Sequence, residues 1–368
     1  GLHAPSAALR RPALQSVAAS RASAPVAAVD SWYDAGERLG SAMTAATPAA
    51  AAPELPAAKS GLTEKAGALY RFSRPHTIRG TLLACFTGVA RALIEAPQFL
   101  SMLPALLPRA MLGVLALLLG NLFIVGINQV YDVDIDKINK PFLPVAAGRL
   151  SPKAAWAIVL GSGVAALAIV RAIFSPLIFW LFAFGTTVGG LYSVPPFQLK
   201  RFPLAAGLTI ATCRGFLLNF GVYYATREAL GLAFQWSPPV SFLARFMTVY
   251  AAVIAVTKDL GDIEGDRKGG IDTFASRLGP AKVAKGASAV LLINYLAAIA
   301  TPVLAPAGAF RRVFMIGGHA LAAGWLVAST KKLFADGQDT DPSALSVKAY
   351  YKQIWNLFYF EYAMYPFI

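Results

Sequence analysis

Two short stretches of this 368-residue chain concentrate side chains capable of ionic chemistry. The first, NQVYDVDIDKINKP, carries Asn128, Asp132 and Asp136. At about 100° per residue these three fall within roughly 80° of one another on a helix, and Asp134 points to the opposite side. The second, KDLGDIEGDRKGGIDT, places Asp259, Asp262 and Asp266 on a face roughly 60° wide, with Glu264 turned away. Carboxylates stacked on one face repel, which raises their pKa values unless a cation neutralises them. A hard divalent cation fits such a face. Mg²⁺ takes one or two carboxylates, keeps waters and completes its shell with phosphate oxygens. Asn128 would add a neutral carbonyl oxygen to the first set. Two such clusters facing each other would hold two ions with a diphosphate between them. The bland alternative, two solvated loops with incidental acids, must produce two one-faced triplets independently.

Basic residues lie close by in sequence. Lys140, Arg149, Lys200, Arg201, Lys258 and Arg267 surround the acids. Acids alone would bind metal, whereas acids and bases together suit metal plus phosphate. Taken singly, each of these cations is equally a loop charge that sets membrane topology.

The elements that must carry these residues are membrane helices. The chain is 57% hydrophobic and only 14% charged, too few polar groups to clothe a soluble surface. Apolar spans near 77–96, 103–128, 153–170, 174–192, 204–224, 241–257, 286–305, 313–330 and 350–368 predict nine transmembrane helices, an all-α polytopic protein. Continuous apolar runs, without alternation, exclude a β-barrel. Nine crossings sort the loop cations. Lys137, Lys140, Arg149, Lys153, Lys200, Arg201, Lys258, Arg267, Lys268, Arg277, Lys282, Lys331, Lys332 and Lys348 fall on one side. Arg109, Arg171, Arg227, Arg311 and Arg312 fall on the other. This positive-inside bias puts the N-terminus and both acidic clusters on the basic side. The net charge of +14 therefore carries no sign of nucleic-acid binding, and no basic–aromatic interleaving supports one. Two cysteines, Cys85 and Cys213, make no disulfide framework, and three histidines make no zinc or haem site.

Residues 1–60 are a separate segment, rich in Ala, Ser and Pro, with Arg10, Arg11 and Arg21 and no acid before Asp30. That composition reads as an organellar transit peptide or as a disordered tail. The first residue is Gly, so the expectation is that a longer N-terminus precedes it. The membrane domain is expected over 70–368.

At NQVYDVDIDKINKPFLPVAAGRLS and KDLGDIEGDRKGGIDTFASRLG the sequence resembles the UbiA-type intramembrane prenyltransferase superfamily. Asn128, Asp132 and Asp136 match its N-D-x-x-D-x-x-x-D motif, and Asp262 and Asp266 match its D-x-x-x-D motif. Gln129 departs from the Asp common at that place. The stretches 71–81, 127–141 and 258–270 are similar to the homogentisate prenyltransferases of plastids. Within these, 193–203 and 211–232 look more like the solanesyl-transferring branch than the phytyl-transferring one. The resemblance covers about residues 70–330. It implies a nine-helix fold, Mg²⁺, a polyprenyl diphosphate and homogentisate as substrates, and a plastid membrane with the active loops facing the stroma. The implied reaction joins the prenyl group to homogentisate with loss of CO₂ and diphosphate, towards plastoquinone. Other superfamily members, which prenylate 4-hydroxybenzoate or chlorophyllide, fit Gln129 and 211–232 less well. A transporter, a different class, would place its charges near the midplane of broken helices.

Several further residues acquire candidate roles from this resemblance. Arg79, inside the first span, either pairs with the homogentisate carboxylate or snorkels to headgroups. His76 is a hydroxyl partner or an interfacial structural histidine. Arg214 lies deeper in the fifth span with Asn219 five residues on; both are assigned to the aromatic substrate, with phosphate contact or structural pairing the other readings of Arg214. Tyr192 could stabilise an allylic cation through its ring face, or belong to the interfacial aromatic belt.

Overall fold

The protein is described by a computed structural model that covers residues 61–335 and 342–368. The segment 1–60 expected to be transit-peptide-like lies outside the described residues. Every regular element among the described residues is helical. The helices are α1 (Leu62–Phe72), α2 (Pro75–Ile94), α3 (Leu103–Tyr131), α4 (Val133–Asn139), α5 (Pro152–Ile173), α6 (Pro176–Leu191), α7 (Pro203–Ile210) and α8 (Leu218–Ala229). They continue as α9 (Pro238–Thr257), α10 (Ile263–Lys268), α11 (Phe274–Leu278), α12 (Pro280–Leu304), α13 (Arg312–Leu333) and α14 (Ala344–Met364).

Local chemistry explains the boundaries. Pro75, Pro152, Pro176, Pro203, Pro238 and Pro280 each open a helix, where the missing N–H costs nothing. Ser151, Ser237 and Ser343 cap α5, α9 and α14 by accepting from Ala154, Val240 and Ser346 N–H.

All nine expected spans form helices. Seven segments are long and apolar enough to cross a membrane. The other two are α6, apolar but only 16 residues, and α14, which carries Lys348, Lys352 and Glu361. The fifth span is one rod, Pro203–Ala229, in which a π-helical turn (Ala211–Leu217) joins α7 to α8. That turn packs on α9 so closely that a Cβ on Gly215 would stand 2.4 Å from Thr248 Cα.

Buried apolar residues of α9, α12, α13 and α14 form one continuous core. On the other side, α2, α3, α6, α7, the π turn and α8 surround a cavity of about 1300 Å³. Its walls are apolar along most of its depth, including Leu117, Leu181, Leu217 and Val222. Charged side chains gather at the end where α3 and α9 stop.

Candidate active site

Each acidic motif lies across a helix break. Asp132 ends α3 and precedes α4 with φ −102° and ψ 18°, and Asp262 precedes α10 with φ −109° and ψ 4°. The expected continuous helical face is therefore a bent one in both motifs. The bend keeps three side chains of each motif converging, since each short helix restarts with its own 3.6-residue period. Asp132, Asp136, Asp259, Asp262 and Asp266 all line the mouth of the cavity. Asp134 and Glu264 are exposed and pair with Lys137 and Lys268.

Asn139 joins the two motifs. Its Oδ1 accepts from Gly265 N–H at 2.9 Å, and its Nδ2 donates to Asp262 O at 2.9 Å and to Asp266 Oδ1 at 3.4 Å. A Cβ on Gly265 would sit 2.4 Å from Asn139 Oδ1, so α4 and α10 can meet only through a glycine there. The second motif is thus held in register with the first by one amide.

Lysines partner the carboxylates. Lys200, only 6% exposed, donates to Asp132 Oδ1. Lys140 donates to Asp262 Oδ2 at 2.5 Å, and Lys258 donates to Asp259 Oδ1 at 2.6 Å. Burial pulls Lys200 below its ordinary pKa, and the Asp132 charge opposes that pull. Asn128 Nδ2 donates to Asp132 Oδ2 at 2.6 Å and to Ser193 Oγ at 3.2 Å. Its carbonyl oxygen, expected to face a metal, accepts from Arg74 Nη2 at 3.1 Å instead.

The donor set fits a divalent cation. Asp136 is 4% exposed and its buried Oδ2 has no hydrogen-bond partner. Burial raises Asp136 to about 6, against the opposing charges of Arg74 and Lys140. Burial, then the charges of Asp262 and Asp259, raises Asp266 to about 7. Burial is the larger cause at both, and at Asp266 the neighbouring carboxylates add to it. No group of three or more His, Cys, Asp or Glu among the described residues is arranged to hold a metal unaided. That suits Mg²⁺, which uses few carboxylates and draws its remaining ligands from phosphate and water.

One step deeper lies a second polar patch. Arg214 projects from the π turn, where its Nη2 donates to Asn121 Oδ1 at 3.4 Å and its buried Nη1 has no hydrogen-bond partner. Its guanidinium carbon lies 5.9 Å from the Trp355 ring centroid, and His76 meets the same indole edge-on at 5.1 Å. π turns recur at functional sites because they re-aim side chains. Tyr192 also lines the cavity, with Lys258 Nζ 5.7 Å from its ring centroid.

Five expected site residues stand elsewhere. Arg79 is exposed and is not among the residues that line the cavity. Asn219 donates to Gly215 O at 2.7 Å, closing the π turn, and does not line the cavity either. Arg149 donates to Phe142 O on an exposed loop, the exposed Arg267 of α10 donates to Ser276 O, and Arg201 is also exposed. In their place the structure supplies Arg74, Asn121, Asn139 and Trp355. Arg74 has φ 53°, a left-handed conformation rare for a residue with a side chain, at the position just before Pro75. Its signal was the basic cluster ahead of the first span, which lies outside any helical-face argument.

A helical bundle with two aspartate motifs at the mouth of an apolar cavity has close parallels. The chain matches the UbiA prenyltransferase family over residues 81–357, and it belongs to that family. It is 51% identical over 320 residues to the probable homogentisate phytyltransferase 2, chloroplastic, of Oryza sativa subsp. japonica, covering 87% of this chain and 82% of the relative. It is 50% identical over 301 residues to the homogentisate solanesyltransferase, chloroplastic, of Arabidopsis thaliana, covering 82% and 76%. A UbiA homologue from Archaeoglobus fulgidus, solved with GPP and Mg²⁺, superposes with a TM-score of 0.54 at 19% identity, over 81% of this chain and 99% of that one. That last likeness concerns the fold.

Proposed function

We propose that the protein is a homogentisate prenyltransferase of the chloroplast membrane that uses a long all-trans polyprenyl diphosphate, solanesyl diphosphate. The observation that carries this reading is the ring of five motif carboxylates and three paired lysines closing one end of an apolar cavity of about 1300 Å³. The relatives named for homogentisate supply the acceptor. Asp132, Asp136, Asp259, Asp262 and Asp266 would hold Mg²⁺, two ions by the symmetry of the two motifs. The metal supplies charge neutralisation for the departing diphosphate.

The chain's own residues do the rest. Lys140, Lys200 and Lys258 lie within reach of a diphosphate at the ring and donate to its oxygens as the carbon–oxygen bond lengthens. Arg214 and His76, one step deeper, orient the acceptor carboxylate and hydroxyls. Tyr192 and Trp355 present ring faces to the allylic cation. Apolar walls keep water from that cation. The new carbon–carbon bond forms as the cation is captured by the ring, which then loses its proton. The carboxylate leaves as CO₂, and the methylene carbon that bore it takes up a proton to become a methyl group. The product is 2-methyl-6-solanesyl-1,4-benzoquinol, a plastoquinone precursor. The site would face the stroma from a nine-crossing bundle, a reading that the excess of lysine in the loops beside it supports.

The alternative donor is phytyl diphosphate, favoured by the name of the rice relative. A matrix of two acceptors, homogentisate and 4-hydroxybenzoate, against solanesyl and phytyl diphosphates decides between them. We expect the solanesyl–homogentisate pair to give the highest kcat/KM and EDTA to stop it. Equal or better use of phytyl diphosphate would overturn the donor assignment.

A further inference from the structure

The end of the cavity remote from the aspartates is not apolar. Arg109 of α3 lines it, and Arg109 Nη2 stands 3.8 Å from Glu228 Oε2 on α8. This pair spans the gap between the two helices that face each other across the cavity. Arg109 also lies over the Phe174 ring, with its guanidinium carbon 5.3 Å from the centroid. Phe174 lines the same end and presses against α3, where a Cβ on Gly113 would stand 3.0 Å from its ring. The ion pair is loose. Arg109 Nε and Glu228 Oε2 are buried atoms with no hydrogen-bond partner. Phe174 packs against the small buried cluster of Ala116, Val170 and Ile178, whereas the ion pair above it is long and about a third exposed.

Its depth can be compared with a donor tail. From Arg109 to Asp132 is roughly 23 residues of helix, about 35 Å at 1.5 Å per residue. An isoprene unit in an all-trans chain advances about 5 Å, from four chain bonds of about 1.5 Å set in a zigzag. Metal and diphosphate occupy the first several ångströms, so about six units reach the floor. A four-unit phytyl tail ends in the apolar shaft. A nine-unit solanesyl tail cannot end there, and must meet the pair. An apolar chain end does not displace a charge pair without loss. Beside the floor, Leu103, Leu107 and Met111 line the cavity and are exposed on the outside of α3, which offers the chain an apolar way round.

We propose that Arg109, Glu228 and Phe174 form a charged floor that turns the last units of a long prenyl donor sideways, so that these three residues set donor-length preference. They act on donors longer than about six units and lie beyond the reach of shorter ones. The inference rests on the reading that the diphosphate binds at the aspartate ring.

The test is a comparison of donors within each protein. In Arg109→Glu two like charges face each other, which opens the floor to water. We expect the ratio of kcat/KM for solanesyl over phytyl diphosphate to fall at least fivefold, and the exchange Arg109→Glu with Glu228→Arg to restore it within twofold. An unchanged ratio, or failure of the exchange to restore it, would overturn the proposal. Should Arg109→Glu not purify as a monodisperse protein, Phe174→Leu probes the same floor from its other side and must also move the ratio. The two readings fail differently. If the parent protein uses neither diphosphate with homogentisate, the proposed function falls. If it uses both and the ratio never moves, only the floor does.

Discussion

The two halves of the bundle are built on different terms. The half formed by α9, α12, α13 and α14 is one continuous core, with Phe246, Met247, Tyr250, Leu291 and Tyr295 almost fully buried. The half formed by α2, α3, α6, α7 and α8 holds only small clusters of buried residues around the cavity. Helices that face an open shaft cannot be held by contacts across it. They pack on their outer neighbours, α3 on α5 and α2 on α8, and carry the lysine–aspartate ring at the mouth and the Arg109–Glu228 pair at the floor. Side-chain packing makes the solid half, and ionic contacts frame the hollow one. Mutations should therefore separate cleanly into those that unfold and those that inactivate.

The widest separation belongs to the motif aspartates. Asp132→Ala and Asp266→Ala should each lower kcat by about 10³-fold or more, as loss of a principal charge-stabilising group does. Asp266→Ala should unfold in detergent within a few degrees of the parent. Asp132→Ala should also lose stability, because it leaves the buried Lys200 without its partner. Retained turnover in either would break the division. On the solid side, Leu291→Ala should lower stability by about 2–4 kcal/mol, because a fully buried leucine leaves a cavity that its neighbours fill only in part. Leu181→Ala, on the wall of the shaft, should cost less than about 1 kcal/mol, since that wall already faces empty space. Equal losses in thermal unfolding would erase the contrast.

Asn139→Ala offers a finer test within the hollow half. Removing the amide that ties α4 to α10 should raise the Mg²⁺ needed for half-maximal activity about tenfold, as supporting residues of metal sites do. A Mn²⁺ binding titration should show the same shift without substrate turnover. Asn139→Asp keeps the acceptor for Gly265 N–H and loses the donor, so it should fall between the parent and Asn139→Ala. The smallest effect is that of pH. Asp136 and Asp266 titrate at about 6 and about 7 in the metal-free protein, and a cation needs both deprotonated. Lowering pH from 8 to 6 should raise the Mg²⁺ requirement several-fold, and a flat dependence would show that neither carboxylate meets the metal.

Much of this was legible in the sequence because its signals are periodic. Apolar runs located every long helix, and a 3.6-residue count separated Asp132 and Asp136 from Asp134, and Asp262 and Asp266 from Glu264. Proximity in sequence was a weaker guide for the cations. Lys140, Lys200 and Lys258 reach the ring, whereas Arg149, Arg201 and Arg267, with comparable spacing, face outwards. A loop has no fixed period, so the direction of its side chains depends on packing between distant segments. The helical count does put Asn139 on the first motif's face, about 20° from Asn128, but its partners stand more than 120 positions away, and nothing periodic marks Arg74. Asn219 was misread for another reason. A π turn shifts the register of everything beyond it and leaves a carbonyl to be satisfied, which is the work Asn219 does.

The pairing of Lys140, Lys200 and Lys258 with the motif aspartates bears on the life of the protein between turnovers. Five carboxylates line the mouth beside these lysines and Arg74, so the ring is nearly neutral before any ligand arrives. A chain assembled this way can insert and fold in the bilayer with no metal at hand, carrying internal counter-ions in place of external ones. A bound diphosphate would offer each ammonium a phosphate oxygen in exchange for its carboxylate. Departure of the product diphosphate runs the exchange in reverse. The protein idles as a closed circuit of its own charges, and the substrate is what opens it.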